Sequence, residues 1–333
     1  MTAYMDHKDL ANELISEERT TQIRDGVHRV LDAIAEAQER AGRESGSVRL
    51  LAATKTRDVG EIMAAIDAGV RMIGENRPQE VMAKADGLRR LCAERGLVLG
   101  AADTVMSADA VTSADTVTSG TAVSPTETKA SEPLRNNVND NVSDGQIGDQ
   151  TSSPIISTPS PALMSAPSTF RETVAFHLIG QLQANKISKV MPVVNTIESV
   201  DGIELAERIA RRAVARNITV GVLLEVNESG EASKSGCEPE QAIDIANSIA
   251  AMDGLELQGL MTIGAHVDDE AVIRSGFAHL RRTRDAILAS QVPGTEHCTE
   301  LSMGMTQDMA FAIEEGSTIV RVGTAIFGPR AFI

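Results

Sequence analysis

Val48-Arg-Leu-Leu-Ala-Ala-Thr54, followed at once by Lys55, is the stretch on which the reading of this chain turns. A short apolar run of this kind reads as a buried strand. A lysine at its end is poorly placed for solvation, and burial disfavours the ammonium and lowers its pKa. A neutral amine attacks aldehydes, with a Schiff base as the usual product. Taken alone, Lys55 is better read as a strand-end lysine that snorkels to solvent. The rest of the sequence has to decide.

Working outward, strands and helices alternate. An amphipathic helix is expected over 9–43, with Leu10, Leu14, Ile23, Val27, Val30, Leu31 and Ile34 near helical spacing and Gly42 as its stop. Further strands are expected at 70–73, 174–179, 194–197, 218–226, 255–263, 299–302 and 318–322. Helices fall between them, at 59–68, 79–94, 184–190, 202–216, 239–252, 269–290 and 305–315. Repeated β-α order implies parallel strands joined by crossovers, and eight alternations predict a closed (β/α)8 TIM barrel. Several strands are short, which leaves an open doubly wound sheet as the alternative. Residues 100–172 break the pattern: Ser, Thr, Asp, Asn, Ala and Pro dominate, as in Thr158-Pro-Ser-Pro161. Such a segment buries too little apolar surface to offset its ordering entropy, so it reads as a disordered insertion. Residues 1–99 and 173–333 are then expected to form one barrel of about the usual ~250 residues.

The 333 residues are 42% hydrophobic and carry a formal net charge of −16. An acidic surface argues against nucleic acid and against anionic membranes. No apolar run reaches spanning length, and the first residues lack the layout of a signal peptide. Three scattered cysteines, Cys92, Cys237 and Cys298, form no CxxC pair and suit reduced thiols in the cytoplasm, without metal or disulfide. A monomer is expected.

In a parallel barrel, reactive groups collect at the C-terminal strand ends. Polar motifs recur there: Lys55, Gly74-Glu-Asn76, His177 with Gly180-Gln-Leu-Gln-Ala-Asn-Lys186, Glu225-Val-Asn227, Leu301-Ser-Met-Gly-Met-Thr306 and Arg321-Val-Gly-Thr324. The last two read together as a phosphate site. Gly304 and Gly323 let backbone amides approach an anion, and Ser302 and Thr324 add hydroxyl donors. The other reading of those glycines is a pair of tight turns. A Schiff-base lysine facing a phosphate cradle fits an aldehyde-bearing phosphate, and pyridoxal 5′-phosphate (PLP) is the commonest such cofactor. Arg321 suits the ring nitrogen, because an always-protonated guanidinium donates a hydrogen bond without giving up a proton. Its other reading is a salt bridge across the barrel mouth.

The chain resembles the pyridoxal phosphate homeostasis protein family. The resemblance rests on Leu51-Ala-Ala-Thr-Lys-Thr56, Gly74-Glu-Asn76, Phe176-His-Leu-Ile-Gly-Gln-Leu-Gln-Ala-Asn-Lys186, Val226-Asn-Glu-Ser-Gly-Glu-Ala-Ser-Lys-Ser-Gly236, Gly259-Leu-Met261, Leu301-Ser-Met-Gly-Met305 and Arg321-Val-Gly-Thr-Ala-Ile-Phe-Gly328. It implies a fold-type III PLP barrel similar to the N-terminal barrel of alanine racemase. It further implies Lys55 as the Schiff-base lysine, Arg321 at the ring nitrogen, Ser302, Gly323 and Thr324 on the phosphate, and Asn76 and His177 lining the pocket. Two departures stand out: Phe176 occupies a position where the family often has Trp, and the insertion is not a general family feature.

Racemases of this fold use a second base, a tyrosine on a C-terminal β-domain. Here the only tyrosine is Tyr4, and the sequence given stops soon after the eighth strand, so such a domain is not expected. Acid–base catalysis without a positioned base loses orders of magnitude. The expected function is therefore PLP binding and intracellular PLP homeostasis, without enzymatic activity and with PLP-dependent apo-enzymes as recipients. A low-activity racemase and a scaffold without cofactor are the alternatives. Lys234, in the loop after the fifth strand, is a candidate transient acceptor for PLP or a solvated loop lysine.

Overall fold

Alternate residues of the first strand face two different cores. Leu50 and Ala52 join the large apolar layer between strands and helices, whereas Leu51 points inward to Met72 and Ile319, flanked by Ala175 and Ile179. This period of two, repeated around a closed sheet, makes one layer outside the strands and one inside. In the computed structural model, residues 9–100, 172–231 and 234–329 are described. The strands are β1 (Arg49–Ala53), β2 (Met72–Glu75), β3 (Val98–Leu99), β4 (Thr173–Leu178), β5 (Thr196–Val200), β6 (Val220–Glu225), β7 (Leu255–Met261), β8 (Glu300–Ser302) and β9 (Ile319–Val322). The helices are α1 (Glu17–Arg40), α2 (Val59–Asp67), α3 (Pro78–Glu94), α4 (Ile187–Val190), α5 (Ile203–Val214), α6 (Ala242–Ala250), α7 (Glu270–Ala289), α8 (Met309–Glu314) and α9 (Thr324–Phe327).

All strand pairs are parallel. The order runs β2-β1-β9-β8-β7-β6-β5-β4, and β2 also pairs with β4. The sheet thus closes into an eight-stranded barrel, and the open doubly wound alternative is excluded. The seam lies between β1 and β9, where Arg49 pairs with Ile319 and Leu51 with Arg321. β3, which sequence reading missed, adds two residues beside the start of β4.

Most expected elements recur within a few residues. The first helix is shorter at its start than its apolar spacing predicts. Ser16 caps it by accepting from the Arg19 amide, with Glu17 and Glu18 in the first turn. Leu14 therefore lies outside the helix and is exposed. The segment before the cap instead runs along the start of α2, where the Val59 and Gly60 amides donate to Leu10 and Asn12 carbonyls. The expected insertion, 100–172, lies outside the described residues apart from Gly100 and Glu172. No described helix is long and apolar enough to cross a membrane.

Candidate functional site

At the C-terminal rim, Lys55 is half-buried in the turn after β1. The backbone on both sides of it is pinned by a buried ionic cluster. Lys84 Nζ, fully buried on α3, donates to Glu75 Oε1 at 2.6 Å, to Glu80 Oε2 at 3.4 Å and to the Thr54 carbonyl at 3.1 Å. Thr54 Oγ1 donates to the same Glu75 oxygen at 2.6 Å, and the Thr56 amide donates to Glu80 Oε2 at 2.7 Å. Thr56 holds φ at 64°, a left-handed conformation that costs a β-branched residue about 1–2 kcal/mol. The bond to Glu80 offsets that strain. Burial pushes the Glu75 carboxyl up to about 7, with Glu80 adding to the rise and Lys84 opposing it.

Arg321, inward on β9, anchors a second polar group inside the barrel. Its Nη1 donates to the Ser302 carbonyl at 2.7 Å and to Ser302 Oγ at 2.8 Å, and Nη2 donates to the Thr262 carbonyl at 2.8 Å. A guanidinium has five N–H groups, so two remain for another acceptor. Ser302 Oγ donates to Glu198 Oε2 at 2.6 Å, and His177 Nδ1 meets Glu198 Oε1 at 2.6 Å. Burial alone would raise Glu198, but the His177 hydrogen bond and charge, with Arg321 and Ser302, outweigh it and hold the carboxyl below its ordinary value.

The structure brings Ser302 and Arg321 together but commits the Ser302 hydroxyl to the barrel interior. The Ser302 hydroxyl, expected on the phosphate, is buried, with its proton given to Glu198 and a lone pair to Arg321. His177 likewise reaches inward to Glu198, and its ring lines a cavity of about 340 Å³ at the N-terminal mouth, opposite Lys55. Gly304 is buried with φ at 93°, and a Cβ there would fall 2.5 Å from the Ala312 Cβ, so it serves a tight turn against α8. Gly323 and Thr324 do reach the rim. A Cβ on Gly323 would stand 3.0 Å from the Ala53 carbonyl oxygen, which sets this loop directly beside the strand that carries Lys55. Asn76 is half-buried at the end of β2, and its Oδ1 is buried without a hydrogen-bond partner among the described residues. Lys234 pairs with Glu231 at 2.7 Å.

Sequence reading missed Glu198 and the Lys84 cluster. Glu198 stands out as an acid within the apolar strand Thr196-Ile-Glu-Ser-Val200, and Glu80 and Lys84 have the i,i+4 spacing of a helical pair. Glu225, at the inner end of β6, is pushed up to about 7 by burial, with Asp201 adding to the rise and Arg321 opposing it. Its folded pKa lies above the unfolded value of 4.5, so the unfolded state binds fewer protons between these limits, and stability falls as pH rises from 4.5 to about 7. Glu225→Gln should therefore stabilise the protein at pH 8 by up to roughly 3 kcal/mol and give no advantage at pH 4. Urea denaturation at both pH values checks this; equal effects at the two would contradict it.

The sequence profile of the alanine racemase N-terminal domain matches residues 30–331. A pyridoxal phosphate homeostasis protein of Aquifex aeolicus is 30% identical over 304 residues, covering 91% of this chain and 96% of that relative. A crystal structure of an unknown protein from Bifidobacterium adolescentis aligns at 59% identity with a TM-score of 0.75, covering 96% of this chain and 100% of that one. PipY of Synechococcus elongatus, solved without PLP, aligns at 26% identity with a TM-score of 0.56, covering 89% of this chain and 100% of its own. The same protein solved with PLP bound gives 23% and 0.55, over the same shares. With its closed parallel barrel and these full-length matches, the chain belongs to the alanine racemase N-terminal domain family and, within it, to the pyridoxal phosphate homeostasis proteins.

Proposed function

We propose that the protein binds PLP at the C-terminal rim through Lys55 and serves PLP homeostasis, holding the cofactor and passing it to PLP-dependent apo-enzymes. The observation that carries this reading is one juxtaposition. A half-buried lysine with pinned flanking backbone lies beside a glycine loop held against Ala53. The residues present fit the cofactor. Gly323 holds its loop close against Ala53, Asn76 Oδ1 lacks a partner among the described residues, and Arg321 keeps two donors open. Bound there, PLP would supply an aldehyde for an amine and an electron-withdrawing ring. Lys55 would bring the nucleophilic nitrogen, Gly323 and Thr324 the donors for the phosphate, and Arg321 a hydrogen bond that keeps its own proton. PipY, solved with PLP bound, and the homeostasis protein of Aquifex aeolicus support the assignment.

The test is covalent mapping. PLP added to the purified protein and reduced with borohydride should mark the peptide bearing Lys55. Label spread evenly over surface lysines, or none, would overturn the reading. A second reading, slow amino-acid racemisation, is favoured by Glu225, a rim carboxyl pushed to about 7 and so able to exchange a proton near neutral pH. Incubating the PLP-loaded protein with enantiopure amino acids in deuterated water separates the two: rapid α-deuteration supports the enzyme, and its absence supports the carrier.

A further inference from the structure

The hydrogen-bonded chain inside the barrel has only one polarity open to it. A guanidinium offers no acceptor, so Ser302 Oγ must receive the Arg321 proton on a lone pair and send its own proton to Glu198. An ionised carboxylate accepts only, so His177 Nδ1 must carry the proton it shares with Glu198. The direction therefore runs from Arg321 through Ser302 to Glu198, and from His177 into Glu198 from the other side. All four side chains are buried, and they come from β9, β8, β5 and β4.

A buried guanidinium requires a counter-charge. Three carboxyls face Arg321: Glu198, Asp308 and Glu225. Asp308 accepts from the Met305 amide at 2.5 Å and serves the turn before α8. Glu225, pushed to about 7, is only partly ionised near neutral pH. Glu198 is held below its ordinary value, stays charged, and is the one joined to Arg321 through a hydroxyl.

We propose that Glu198, oriented by His177, is the positioning residue that fixes Ser302 and through it the plane of the Arg321 guanidinium, so that the two open N–H groups are set to read the ring nitrogen of PLP. This rests on the PLP reading given above. Within this hydrogen-bonded group only Arg321 would touch the cofactor; Ser302, Glu198 and His177 act through it. The device differs from a direct acid at the ring nitrogen, because the negative charge is kept one hydroxyl away from the guanidinium.

The test compares two aldehydes, PLP and its 1-deaza analogue, which has carbon in place of the ring nitrogen. Wild-type protein should bind PLP about ten- to a hundredfold more tightly, the range for one hydrogen bond from a charged donor. Glu198→Gln should cut that preference to about threefold or less by weakening PLP while leaving the analogue nearly unchanged. Ser302→Ala, which changes no charge, should act in the same direction and carries the test if Glu198→Gln does not fold. Parallel weakening of both ligands would reduce Glu198 to a structural role and overturn the proposal, as would an undiminished preference in both variants. In the unloaded protein, the His177 Nδ1–H proton resonance should be visible in the wild type and lost in Glu198→Gln; persistence would contradict the chain's polarity. A wild-type protein that forms no adduct at Lys55 overturns the PLP reading itself, whereas an adduct formed equally with both aldehydes overturns only this inference.

Discussion

Lys84→Met should destabilise the unloaded protein by about 3–5 kcal/mol at pH 8, the usual result of stripping one partner from a buried ionic group. Lys84 and Glu75 have no exposed surface and Glu80 has 2%. Methionine fills similar volume, so the loss reports charge more than packing. Without the ammonium, two carboxyls are left buried side by side, and one oxygen of Glu75 already lacks a partner among the described residues. Glu75 stands at about 7 even with Lys84 present, so removing the cation raises it further. The sign then follows. The folded pKa of Glu75 rises further above its unfolded one, and stability is lost as pH climbs between the two. The defect should therefore be largest at pH 8 and shrink toward pH 5. Urea denaturation across that range measures it, and a loss below about 1 kcal/mol at pH 8 would contradict the cluster's role. Adding Glu75→Gln to Lys84→Met should recover part of the loss, because it removes one stranded charge.

Lys55→Ala should do the opposite: abolish the covalent adduct with PLP while changing unloaded stability by less than about 1 kcal/mol. Lys55 is half-buried, so any ion pair it makes is shared with solvent. The amine is the group asked to bond the aldehyde, and no other described lysine lies in the turn after β1. Retention of PLP through gel filtration should fall by roughly a hundredfold or more. Undiminished label after borohydride treatment of Lys55→Ala would place the chemistry elsewhere. The two variants divide the site's labour. On this reading Lys84 would hold the frame, and Lys55 would form the bond.

The barrel was legible because its strands carry their signal locally. Apolar runs such as Leu50-Leu-Ala-Ala53 and Val220-Gly-Val-Leu-Leu224 need no knowledge of partners to be read as buried. The rim position of Lys55, Asn76, Gly323 and Thr324 was legible for a related reason: strand ends map onto one rim once strands are parallel. What escaped was the side to which a polar group turns. Ser302 closes a strand and reads from sequence as a rim hydroxyl, yet its alternation places it inward with Arg321 and Glu198. Gly304 reads as a cradle from sequence, and its close approach to Ala312 on α8 appears only once the helix is packed. Glu198 is paired with residues from strands far apart in sequence, and no local pattern carries such a pairing.

The seam where Arg49 meets Ile319 also dictates timing during synthesis. The lysine turn follows β1, but the wall beside it is contributed by β9, which is synthesised after all the other described strands. Until then both seam edges stay unsealed and the barrel interior stays wet. On the PLP reading proposed above, a chain that has not yet made β9 should therefore fail to retain the aldehyde.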